Sequence, residues 1–449
     1  MEFVKFENIK NLSEKSIDKM YKKHYNNGLY TLFKRIGIDK EFVKAHGVYV
    51  YDRDGNEYID FLGGFGALNL GHNNTQIIEA IQEVKDRPNM LQVSKNTYAA
   101  VLSNNISYLT NREMKYCFFT NSGTEAVEEA IKISLLYNKE GNIIYFSNAY
   151  HGKTMGSISA LGSKIKENYQ PLLYNFIEVP YNNIEKFKEA VENVDIVAVL
   201  VEPIQAEGGI VVPSKDFLNE VRKICDKKDI ILIFDEVQTG LGRCGAMFCY
   251  EKFGVVPDIM CLAKSLSGGV IPIGCIAVEE ILWKDTYGKV KNAKLPSSTF
   301  GGNTLACAAG IKTLSILKEE ELYKRAENLG NYALKLLINL KNKYTIIKDI
   351  RGMGLMLGIR FDNLNGIISD KIMEATMAQI ISKLMNEYRI ISGYTTNDPS
   401  VLRIEPPLII EKKHIDYLIY ALNRILDEEN NIFKLGFDSI KNITKNILN

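Results

Sequence analysis

The chain carries almost no surplus charge of either sign, with 55 Lys and Arg against 54 Asp and Glu over 449 residues. That balance offers no basic stripe to hold a phosphate backbone, and nucleic acid is not an expected partner. Long apolar runs are missing too: none approaches the roughly 18 residues that a bilayer-spanning helix needs. The first residues, MEFVKFENIKNLSEKS, place charges where a signal peptide needs an apolar stretch, so a cytoplasmic location without membrane contact is expected. Seven cysteines form an odd set without framework spacing. Cys244 and Cys249 have neither a CxxC pattern nor a histidine cluster beside them, which leaves no zinc site and no expected metal. Only five histidines occur, with no HxxxH pair among them.

What is present is a rhythm. Short apolar runs at Tyr116–Phe119, Ile143–Phe146, Ile196–Val201 and Ile230–Phe234 alternate with helical stretches between about residues 76 and 328. Runs of this kind are strands buried on both faces, and the alternation predicts an α/β fold with a mostly parallel central sheet covered by helices. We expect an N-terminal arm over 1–46 and an N-terminal part of a small domain over 47–75. A large domain over 76–328 and a C-terminal small α+β domain over 329–449 follow. Val48 to Leu62 alternates about Asp54-Gly55, a hairpin signal.

Chemistry enters where the runs end. Asp235 closes one buried run and Lys264 follows another, Ile259–Ala263, so both charged groups reach the same edge of the sheet. An acid and a lysine there suit a pyridoxal phosphate pocket, in which the lysine carries the cofactor as a Schiff base and the acid keeps the pyridine nitrogen protonated. Alone, either residue reads as an ordinary salt-bridged or solvent-reaching charge. Ser122, Gly123 and Thr124 stand at a strand-to-helix junction, where free N–H groups and the positive helix end suit a phosphate. Ser122 and Glu125 also fit a plain capping box. In Tyr150-His151-Gly152-Lys153, Tyr150 offers an aromatic face for the pyridine ring. His151, without a metal-type partner, suits a polar or packing role as well as a ligand's. Glu202 and Glu207 bring two carboxylates to the same edge and read as a pocket wall.

NSGTEA, HGKT, VEPIQAEGG, DEVQTGLGR, LAKSLSGG and STFGGNTLACAAG, in this order, resemble the class III pyridoxal phosphate aminotransferases of fold type I. The likeness runs from about Gly47 to Leu408. It implies pyridoxal 5'-phosphate as cofactor, Lys264 as the Schiff-base lysine, Asp235 on the pyridine nitrogen and Gln238 by the phenolic oxygen. Ser122, Gly123 and Thr124 would cradle the phosphate, with Tyr150, His151, Glu202 and Val237 around the ring. Thr299 resembles a phosphate ligand donated by a partner subunit, which implies a homodimer with shared sites. Gly302-Asn303-Thr304 departs from the Gly-Asn-Pro usual in that family.

Substrate binding is expected from Lys153, Glu207 and Arg403. Relatives that act on acetylornithine, ornithine or 4-aminobutyrate generally have arginine at the position of Lys153, and arginine is the better carboxylate clamp. FLGGFGALNLGH from Phe61, HGKT, and VLRIEPPL from Val401 resemble the putrescine aminotransferase branch. Glu207 and Arg403 match the family's switch pair, through which one pocket admits an amine and then a 2-oxo acid. The expected reaction moves a terminal amine of a putrescine-like diamine to an acceptor such as 2-oxoglutarate. Alternatives are ornithine, acetylornithine, 4-aminobutyrate or a biosynthetic aldehyde as substrate, an aminomutase or racemase on the same fold, and a binding or regulatory protein without turnover.

Overall fold

The computed structural model describes residues 3–91, 93–361 and 370–428. The end of the expected C-terminal small domain, residues 429–449, lies outside them. Seven strands form the largest sheet, in the order Tyr116–Thr120, Gly274–Val278, Ile259–Leu262, Ile231–Asp235, Ile196–Val201, Asn142–Phe146 and Phe176–Val179. Only Gly274–Val278 runs against its neighbours; the pairings from Ile259–Leu262 through Phe176–Val179 are parallel.

The alternation of strand side chains explains the layering. Leu232, Phe234, Met260 and Leu262 enter one core with Phe217, Leu218 and Val221 of the helix Phe217–Lys228. Ile231, Ile233, Ile259 and Cys261 point the other way, onto Ala126, Val127 and Ala130 of the helix Gly123–Tyr137. Both faces are thus covered, which is why the strands read as unbroken apolar runs. The carboxyl ends of the parallel strands then form one open edge, where α/β sheets bind ligands.

Two smaller sheets accompany the large one among the described residues. Phe42–His46, Tyr49–Asp52 and Glu57–Asp60 form an antiparallel meander, to which Ile390–Ile391 adds in parallel. The first of these strands falls within the stretch expected to be an arm. Its side chains are mostly exposed, so no apolar alternation marked it. Ile347–Met353, Met356–Phe361, Val401–Ile404 and Gly393–Tyr394 make an antiparallel sheet that delivers Arg403 toward the open edge. Among the described residues no helix is long and apolar enough to cross a membrane.

Candidate active site

A cavity of about 690 Å³ opens at the carboxyl edge of the large sheet, lined by Ser122, Gly123, Thr124, Tyr150, Asp235 and Lys264. His151, Lys153, Glu202, Glu207, Val237 and Gln238 complete its wall. Residues from five separate strand ends therefore meet in one place.

Ser122 caps the helix Gly123–Tyr137, its hydroxyl accepting from Glu125 N at 3.3 Å. The expected capping box is only half made, because Glu125 Oε2 accepts from Asn121 N at 2.8 Å instead of from Ser122. Thr124 Oγ1 lies 2.8 Å from Thr154 Oγ1 and 2.7 Å from Ser157 Oγ. Gly152 allows this approach: its φ is +124°, and a Cβ there would sit 2.2 Å from Thr124 Oγ1.

Asp235 is 5% exposed, and both its oxygens are engaged. His151 Nδ1 donates to Oδ2 at 2.7 Å, and Val237 N donates to Oδ1 at 3.1 Å. His151 is thus Asp235's partner rather than a packing residue, and its buried Nε2 has no hydrogen bond. Tyr150 N and Ala206 N donate to the two oxygens of Glu202 at 3.0 and 3.2 Å. Burial, opposed by His151, pushes the Glu202 carboxyl up to about 7 from 4.5.

A raised carboxyl means that the folded chain holds a proton the unfolded chain releases. Its contribution to stability is complete below about 4.5 and lost as pH rises through about 7. Glu202→Gln should flatten that part of the pH dependence, by at most about 3 kcal/mol across the window. Thermal melts of both proteins between pH 5 and 8.5 check this; parallel curves would place the dependence in other groups.

Lys264 follows its strand with φ at +46°, a left-handed backbone that turns the side chain into the cavity wall. Its Nζ donates to Gln238 Oε1. Burial lowers its pKa, and the nearby Glu405 and Glu207 oppose that fall. Gln238 Nε2 in turn donates to the Glu405 oxygens at 2.8 and 3.1 Å. Glu207 accepts from Arg403 Nη2 at 2.7 Å and from Thr396 N at 2.9 Å. Burial would raise Glu207, but Arg403 and Thr396 outweigh it and hold the carboxyl below its ordinary value. Arg403 is fully buried, its guanidinium 5.2 Å from the centre of the Phe65 ring. Lys153 is exposed at the rim.

Thr299 does not join this group. It lines a different cavity, of about 760 Å³, with Asn96, Phe119 and Gly302. Beside it, Thr304 stands where the resemblance would put proline, and it uses what proline lacks: its N–H donates to Asn89 O at 3.2 Å. Its hydroxyl donates to Pro88 O at 2.8 Å, so the loop gains two tethers. Glu405 is the site residue that sequence reasoning missed. A signal existed, since Arg403 and Glu405 stand two apart at the end of an apolar strand and so share a face.

The donor set suits pyridoxal 5'-phosphate. A long helix offers its N-terminus to a phosphate, a buried carboxylate faces the cavity, a lysine of lowered pKa stands beside it, and Tyr150 supplies an aromatic wall. Residues 38–426 match the family model for aminotransferase class-III. An acetylornithine aminotransferase from Methanocaldococcus jannaschii is 40% identical over 398 residues, covering 86% of this chain and 93% of that protein. Aminotransferase PigE from a Serratia species is 35% identical over 457 residues, covering 92% of this chain. The chain spans 54% of the length of PigE. Among solved structures, the ornithine aminotransferase from Toxoplasma gondii superposes with a TM-score of 0.85 at 29% identity, covering 95% of this chain and 100% of that one. The Toxoplasma enzyme crystallized in presence of oxidized glutathione has a TM-score of 0.83 at 28% identity, over 99% of this chain and 100% of that one. That structure has PLP at partial occupancy at its active site.

Proposed function

Because the chain belongs to the class III aminotransferases, we propose that it moves the terminal amino group of a small amine, a putrescine-like diamine by preference, to a 2-oxo acid such as 2-oxoglutarate. The family depends on pyridoxal 5'-phosphate, which when bound supplies an electron sink conjugated to the reacting carbon. Ser122, Gly123 and Thr124 would hold its phosphate at the helix start, and Tyr150 would pack on its ring. Asp235 holds a proton at the ring nitrogen, kept in place by His151 and Val237 N. Lys264 Nζ would hold the cofactor covalently, and its free amine is placed to take the proton from the carbon that carries the substrate's amino group. Its lowered pKa favours the neutral, basic form.

The closed Glu207–Arg403 pair carries the substrate reading. Closed, it leaves Arg403 paired and suits an amine without a carboxylate. Opened, it gives Arg403 to the acceptor's carboxylate. Lys153 at the rim adds a point charge where a carboxylate clamp would use arginine's fork. We further propose a homodimer in which Thr299, which lines a separate cavity from that of Lys264 in its own chain, serves the neighbouring site.

The test is a panel of putrescine, cadaverine, ornithine and 4-aminobutyrate against 2-oxoglutarate and pyruvate. Putrescine should show the highest kcat/KM, and Lys153→Arg should move the ratio toward carboxylated donors by about tenfold. Wild-type enzyme favouring ornithine tenfold or more would overturn the diamine preference. That outcome is the second reading, an ornithine or acetylornithine aminotransferase, favoured by 40% identity to a relative bearing the latter name.

A further inference from the structure

We infer that Glu405 is a specificity-determining residue: a second, fixed counter-ion for Arg403 that weakens the pocket's hold on carboxylates and favours donors with a second ammonium. This deepens the diamine reading and rests on it.

Arg403 is fully buried, yet Glu207 meets only its Nη2, at 2.7 Å. Nη1 lies 3.4 Å from Glu405 Oε2, and among the described residues neither Nη1 nor Nε makes a hydrogen bond. A buried guanidinium in that state gains much from an incoming carboxylate. How much depends on the negative charge that stays beside it.

The two glutamates are held differently. Glu207 stands in a loop that follows the strand Ile196–Val201, tied by Arg403 and Thr396 N. It can leave Arg403 when another carboxylate arrives. Glu405 has no such room: both backbones are tied, Glu207 O by Asn397 N and Glu405 N to Phe61 O, but Glu207 lines the cavity while Glu405 is fully buried behind it. Both of its carboxylate oxygens also receive Gln238 Nε2. Arg403 therefore keeps one anion beside it whichever substrate is bound.

The same charge faces the reacting end of the pocket, because Gln238 links Glu405 to Lys264. Glu405 is also the foremost opposing influence on the lowered pKa of Arg243, a second buried cation. A dicationic donor meets a field that Glu405 makes more negative, and a dianionic acceptor meets the same field with the opposite sign.

The experiment measures the two half-reactions of the holoenzyme and of Glu405→Gln, one with putrescine and one with 2-oxoglutarate. In the variant the KM for 2-oxoglutarate should fall about fivefold and that for putrescine should rise about fivefold, with smaller changes in kcat. A loosened fold moves both constants the same way. Constants that move together, or do not move, overturn the proposal. If Glu405→Gln does not hold cofactor, Glu405→Asp keeps the charge but draws it back from Arg403, and should give smaller shifts of the same opposed signs. Loss of cofactor from both variants would make Glu405 purely structural and also overturn it. The 2-oxoglutarate arm does not depend on the donor. Should wild-type enzyme prefer ornithine, the diamine reading fails while the acceptor shift still decides the role of Glu405.

Discussion

Lys264→Ala is expected to abolish multiple turnover, a loss on the order of 10⁴-fold or more. The variant removes the proposed covalent anchor of the cofactor and the amine proposed to take the substrate proton. Around Lys264 Nζ the described groups are acceptors or fixed charges: Gln238 Oε1, with Glu405 and Glu207 nearby. With the amine bound, Glu207 is held by Arg403 and Thr396 N and Glu405 by Gln238 Nε2, so neither carboxylate is free to take the place of the amine. Folding should survive, because the left-handed φ of +46° strains lysine and alanine alike, both having a Cβ. The vacated space opens on the 690 Å³ cavity, so water can satisfy Gln238 Oε1. Circular dichroism and the melting temperature should stay near those of the parent, while the absorbance of lysine-bound cofactor disappears. Multiple turnover near the parental rate would remove Lys264 from the chemistry.

How legible each part of the site was follows from the range of the interactions that make it. Asp235 and Lys264 stood out because a charge at the end of a buried strand breaks a local pattern, and the strands Ile231–Asp235 and Ile259–Leu262 are buried throughout. Ser122 was legible for the same local reason, a cap at a strand-to-helix turn. His151 was not. Its bond to Asp235 joins residues 84 apart in the chain, and no spacing rule reports such a pair. Glu405 was hidden more deeply, since Gln238, its hydrogen-bond partner, is 167 residues away. The pairing of Glu207 with Arg403 came from family resemblance alone, and the 2.7 Å contact supplies the physical ground that periodicity could not. Strands such as Ile196–Val201 and Ile231–Asp235 were read as buried runs, but Gly274–Val278, buried throughout, was not among them. The fold was read poorly at Phe42–His46, where an exposed strand carries no apolar alternation.

Charge without shape change separates the remaining large effect from packing. Asp235→Asn should keep the cofactor and lower kcat by about 10²–10³-fold, the usual size for losing one group that stabilises charge in a transition state. At 5% exposure the carboxylate sits where water screens little, so its charge acts strongly on a proton at the ring nitrogen. An amide is neutral and cannot hold that proton. It also meets a hydrogen-bond conflict, because both Asp235 oxygens now accept, one from His151 Nδ1 and one from Val237 N. In the variant one of them becomes an NH₂ facing a donor, unless His151 changes tautomer and leaves its proton on Nε2. The proposed phosphate cradle at Ser122, Gly123 and Thr124 and the proposed anchor at Lys264 are untouched, so cofactor content by absorbance should remain close to one per chain. Steady-state rates at saturating cofactor then isolate the electronic role: kcat falls while the KM for the amine changes little. If Asp235→Asn transaminates as fast as the parent under those conditions, Asp235 serves only to hold His151, and the proton on the ring nitrogen is kept by some other group.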